Sequence, residues 1–133
     1  MNLLRALVVH CDDDVGTRLT GMLALCGFDA IVAKDTLGAL RLASEDGIDL
    51  IVTDIDDAKL GGLELLDLVG RGVFGAHPPP VIGCVSQKDV AVSQRSSRVL
   101  CTAFLNLPLT MENLIAALDS ALPVDHHDER QIA

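Results

Sequence analysis

No tryptophan and no tyrosine occur in these 133 residues, and phenylalanine appears three times. Single-stranded nucleic acids and isoalloxazine rings are both held by aromatic stacking, so neither ligand class finds much material here. Basic residues are scarce too: ten Lys and Arg face nineteen Asp and Glu, a net charge of −9. That balance repels phosphate backbones, and nucleic-acid binding by this chain is not expected. No run approaches the roughly eighteen uninterrupted apolar residues of a membrane span. The start, Met1-Asn2-Leu3-Leu4-Arg5, enters a short apolar run without a signal-peptide cleavage pattern. A cytoplasmic protein without membrane attachment is the expectation. No pair among the four cysteines, Cys11, Cys26, Cys84 and Cys101, has the C-x-x-C spacing of a zinc knuckle or redox motif. They lie mostly inside apolar runs and read as reduced, buried thiols. A thiol or metal site built from His10, Cys11 and Cys84 is the sharper alternative.

Hydrophobic residues make up 50% of the chain and charged ones 22%, which excludes disorder as the main state. The length suits one domain with one core. Apolar residues alternate between two periods. Strand-like runs occupy 6–9, 30–33, 50–53, 81–85 and 102–105, each followed by helical spacing. Val15, Leu19, Met22, Leu23 and Cys26 form one helix face, closed by Gly27. Leu37, Leu40 and Ala43 mark a second, ending near Gly47. Leu63, Leu66 and Val69 mark a third, between Gly61-Gly62 and Gly70. Residues 90–100 form a weaker fourth. Met111, Leu114, Ile115 and Leu118 form the fifth, with Thr110 as cap and Glu112 favourable in its first turn; Leu114, Ile115 and Leu118 are expected to face the sheet. Residues 70–80, rich in Gly and Pro, form a loop, and 125–133 a polar, frayed tail. Five strand–helix repeats imply parallel strands with right-handed crossovers, hence a doubly wound α/β sandwich. Residues 1–122 make the domain and 123–133 its C-terminal tail.

In an open parallel sheet, ligands bind beyond the carboxyl ends of the strands. Those positions hold His10, Cys11, Asp12, Asp13 and Asp14 after the first strand, and Asp54, Ile55, Asp56 and Asp57 after the third. Ser86 follows the fourth strand, and Asn106, Leu107 and Pro108 the fifth. Crowded carboxylates repel by about 1 kcal/mol per pair at 4 Å even in water. A cation relieves this, and an all-oxygen set containing carboxylates suits Mg²⁺. A carboxylate beside Mg²⁺ can attack a phosphoryl donor to form an acyl phosphate. The plainer alternative has Asp12, Asp13 and Asp14 capping the first helix and facing its positive end.

These residues resemble the receiver domain of bacterial two-component response regulators over residues 5–122. Asp49-Leu50-Ile51-Val52-Thr53-Asp54-Ile55 is similar to the family's third strand with its phospho-accepting aspartate. Gly62-Leu63-Glu64-Leu65-Leu66, Gly27-Phe28 and Ala39-Leu40 stand at the family's spacing, and Pro108 stands where the family carries a cis-proline. The resemblance implies a flavodoxin-like (βα)5 fold with strand order 2-1-3-4-5. It implies Asp54 as phosphoacceptor and Mg²⁺ on Asp12, Asp54 and the Asp56 carbonyl. The implied partners are a histidine kinase or phosphotransfer protein, a downstream protein effector and, as a candidate, a second copy of the chain. The module is not expected to be an enzyme.

The departures concern the readout. Counting back from Asp54 without a gap puts His10 and Cys11 at the family's acidic pair, with Asp12 next. Sliding Asp12 and Asp13 onto the pair would shorten the first helix by two residues and spoil its apolar phase. The switch threonine is replaced by Val85, leaving Ser86 beside it as a candidate hydroxyl donor, and the lysine by Leu107. The Met-Pro after the acceptor has become Asp57-Ala58. The retained acceptor favours a phosphorylatable receiver. The lost groups favour a pseudo-receiver, a protein–protein interaction module independent of phosphorylation. A nucleotide- or flavin-binding protein of the same architecture is disfavoured, because its phosphate would meet three aspartates instead of backbone N–H donors. No effector domain follows Leu122, so output by contact, or membership of a longer chain, is expected.

Overall fold

A computed structural model describes residues 4–9, 13–45, 47–54, 71–72, 78–85 and 101–122. Strand β1 (Leu4–Val9) leads to helix α1 (Asp13–Leu25), β2 (Phe28–Ala33) and α2 (Thr36–Glu45). Strands β3 (Leu50–Asp54), β4 (Val81–Val85) and β5 (Ala103–Asn106) follow, then helix α3 (Met111–Ala121). The strands form one five-stranded parallel sheet, as the alternating periods lead one to expect, in the order β2-β1-β3-β4-β5 that the resemblance implies. The segments carrying Leu63, Leu66 and Val69, residues 90–100 and residues 123–133 lie outside the described residues, as does most of the 70–80 loop.

Alternation along the inner strands feeds two cores. Ala6, Val8, Leu50, Val52, Ile82 and Cys84 face Leu19 and Leu23 of α1 and Leu114, Ala117 and Leu118 of α3. Leu7, Val9, Ile51, Val81 and Val85 lie on the opposite face with Ala39 of α2. Both faces of β1, β3 and β4 are covered, which is why those strands are near-continuous apolar runs.

Local chemistry sets the element ends. Helix α1 tightens as the Cys26 and Gly27 amides donate to the Leu23 and Ala24 carbonyls, and Gly27 then turns the chain at φ 93°. Few residues other than glycine adopt that left-handed conformation without cost. Strand β5 begins one residue later than the apolar run suggests. Thr102 is spent on the loop, where its amide donates to the Val81 carbonyl and its hydroxyl accepts from the Val81 amide.

Two helix faces depart from the sequence expectation. In α2 the sheet-facing residues are Ala39 and the half-buried Leu42, whereas Leu37 is 66% exposed. Asp35 sets this phase: its carboxylate accepts from the Gly38 amide and its carbonyl from Ala39. The side chain of Ala43 lies outside the described residues. In α3 the buried stripe is Leu114, Ala117, Leu118 and Ala121, and Ile115 is 45% exposed. A step of one residue turns about 100° around a helix, which carries position 115 out of the stripe. The cap is the expected one: the Thr110 hydroxyl accepts from the Asn113 amide at 3.0 Å.

Candidate functional site

Asp54 is the last residue of β3, in register with Cys84 of β4, while Thr53 is level with Val9 of β1. The strand's alternation puts Asp54 on the side of Leu50 and Val52, facing α1 and α3. Asp54 is half-buried at the sheet's carboxyl edge, while Thr53 before it is fully buried. A nucleophile there has rigid backbone support and access to solvent.

The aspartates that open α1 separate into different roles. Asp13 pairs with Lys34 at 3.2 Å, and both side chains are largely exposed. Lys34 follows β2, and β1 lies between β2 and β3, so Asp13 is engaged on the side away from Asp54. An exposed pair of this kind contributes about 0–1 kcal/mol. Asp13 and Asp14 both sit in the first turn of α1, where negative charge complements the helix dipole. His10, Cys11, Asp12, Asp56 and Ser86 lie outside the described residues, so of the residues expected to take the phosphoryl group or Mg²⁺, Asp54 is the one whose position is described. Among the described residues no three His, Cys, Asp or Glu side chains gather to hold a cation.

The two replaced readout positions are apolar in the structure as well. Val85 is fully buried in the core on the α2 side. Leu107 is half-buried and packs against the core shared by α1 and α3, on the same face as Asp54. Its amide donates to the Val85 carbonyl at 2.9 Å, extending the β4–β5 ladder by one bond. The Leu107–Pro108 peptide is cis, as the resemblance implied.

Sequence reasoning missed two residues that hold this segment. Asn113 Nδ2 donates to the carbonyls of Asn106 and Pro108 at 3.0 and 3.1 Å. Arg18 Nη2 donates from α1 to the Leu109 carbonyl at 3.2 Å. The spacing of Thr110 and Asn113 resembles a capping box with an amide in place of Glu, and that was the available signal. The thiols behave as expected of packing groups. Cys84 and Cys101 are buried and Cys26 is half-buried, and burial pushes the Cys101 thiol up to about 11. The alternative site needing His10 and Cys11 lies outside the described residues.

No family model matches the chain. It is 31% identical over 118 residues to the transcriptional regulatory protein PrrA of Mycobacterium tuberculosis, covering 89% of this chain and 49% of that protein. To the transcriptional regulatory protein CpxR of Escherichia coli it is 27% identical over 127 residues, 96% of this chain and 53% of that protein. The chain thus spans about half the length of these curated relatives. A crystal structure of a response regulator receiver domain protein from Clostridium thermocellum superposes with a TM-score of 0.74 at 20% identity, over 98% of this chain and all of that one. The fold is that of a receiver domain and the sequence relatives are response regulators, which bears out the resemblance. No helix among the described residues is long and apolar enough to cross a membrane.

Proposed function

We propose that this response-regulator receiver domain accepts a phosphoryl group on Asp54 from a histidine kinase or phosphotransfer protein in the cytoplasm. The observation that carries the reading is the half-buried aspartate at the carboxyl end of central strand β3, flanked by β1 and β4. An Asp54 oxygen attacks the phosphorus, the bond from phosphorus to the donor nitrogen breaks, and the departing imidazole nitrogen keeps the electron pair. The product is an acyl phosphate, passed on as a signal to a downstream protein effector by contact, without enzymatic turnover. Asp54 offers a hard carboxylate oxygen of the kind Mg²⁺ takes. Asp12 and the Asp56 carbonyl would complete the set, and the ion would offset charge on the phosphoryl oxygens.

Acetyl phosphate with Mg²⁺ is the direct test. The protein should gain one phosphoryl mass, labile to hydroxylamine, and Asp54→Asn should gain none. Equal labelling of the Asn variant would refute the assignment. Leu107 and the buried Val85 favour a second reading, a pseudo-receiver that binds partners whatever the state of Asp54. An unlabelled wild-type protein would select it.

A further inference from the structure

The segment from Asn106, the last residue of β5, to Thr110 is tied at several points to α3, which follows it, and to α1 and β4, which do not adjoin it in sequence. Asn113 spans the Asn106 and Pro108 carbonyls with a single amide group at 3.0 and 3.1 Å. Both partners are acceptors, so only the amide nitrogen can face them, and its two hydrogens are both used. Arg18 reaches across from α1 to the Leu109 carbonyl. The Leu107 amide is held by Val85, and Leu109 is 5% exposed in the core beneath. These contacts join α1, β4 and α3 through one short stretch of backbone that begins one strand away from Cys84, the register partner of Asp54.

We propose that Asn113 and Arg18 act as a latch, positioning residues that keep 106–110 and the start of α3 in one conformation whether or not Asp54 is modified. The regulatory consequence rests on the reading of Asp54 as acceptor; the latch itself does not. A modification shifts a conformational equilibrium only through contacts that differ between the two states. Leu107 and Val85 offer the phosphoryl oxygens neither a charge nor a donor, while the latch bonds oppose movement of the segment. The outer surface of α3 is therefore presented in a fixed form, and loosening the latch is what would connect it to Asp54.

Asn113→Asp tests this without threatening the fold. The shape is kept, the donor is lost, and a negative charge three residues past the Thr110 cap favours the helix. Hydrogen exchange at the Leu107 amide should become roughly tenfold faster, as expected when a bracing hydrogen bond is removed. Exchange at the Leu122 amide, bonded to the Leu118 carbonyl at the far end of α3, should stay unchanged. Arg18→Ala should accelerate Leu107 exchange to a smaller degree. Unchanged exchange at Leu107 in Asn113→Asp would overturn the latch. In a second arm, beryllofluoride with Mg²⁺ should shift wild-type amides at 52–54 and 83–85 only, and spread to 106–115 in Asn113→Asp. Spread in the wild type would also overturn the latch. Absence of any beryllofluoride shift in both proteins would sink the Asp54 reading alone, with the exchange arm still deciding the latch.

Discussion

Replacing Leu107 with lysine puts a cation on the segment that follows β5, on the same sheet face as Asp54, and the structure supplies both sides of the expected balance. Leu107 is half-buried against the core that α1 and α3 share. Full burial of a leucine contributes about 1.5–3 kcal/mol, so half-burial puts at most about 1.5 kcal/mol at risk. A lysine keeps part of that by laying its methylene stem on the same surface. The backbone should not move, because Val85 and Asn113 hold it on both sides of the substitution. On the side of reactivity, a charge-assisted hydrogen bond to phosphoryl oxygens contributes about 1.5–3 kcal/mol, which is a roughly 10- to 100-fold faster reaction. Phosphorylation of Leu107→Lys by acetyl phosphate, followed by intact-mass spectrometry over time, should show that acceleration, and Leu107→Met should show none. A folded Leu107→Lys protein that reacts at the wild-type rate would refute the reasoning, because the segment after β5 would then not address Asp54.

Leu114→Ala should lower stability by about 2–5 kcal/mol in denaturant melts, as for a buried leucine, whereas Ile115→Ala should cost under about 0.5 kcal/mol, as at surface sites; the reverse order would mean that the phase of α3 is wrong. Millimolar Mg²⁺ should raise the melting temperature of the wild type more than that of Asp54→Asn, because a ligand of the folded state stabilises it by mass action. The Cys101 thiol is held protonated by burial up to about 11, against an ordinary 9.0. The stability it contributes is therefore complete below pH 9 and lost as pH rises from 9 to 11, and Cys101→Ala should flatten that decline in denaturant midpoints.

The fold was legible because each strand is a short apolar run and each helix a 3.6-residue pattern, and those two periods survive in the buried faces of β1, β3, β4 and α1. Asp54 was legible for the same reason, since the hydrophobic run of β3 ends on it. Helix phase was harder. Ala39 faces the sheet and Leu37 faces solvent, an inversion that hydrophobicity alone could not reveal because the Asp35 cap sets the rotation. Neither could the linear sequence separate Asp13 from its acidic neighbours, because Lys34, its partner, lies 21 residues away on a different strand end. Asn113 and Arg18 were missed because their acceptors are backbone carbonyls. Such carbonyls exist at every residue, and only the folded chain says which of them a donor will meet.

Reduction of the phosphorylated protein with borohydride, followed by peptide mapping, bears most directly on the central claim. Hydride converts an aspartyl phosphate to homoserine at the modified residue. After treatment with acetyl phosphate and Mg²⁺, the account predicts homoserine at position 54 and nowhere else. Homoserine at another aspartate, or none after full exposure to the donor, would contradict it.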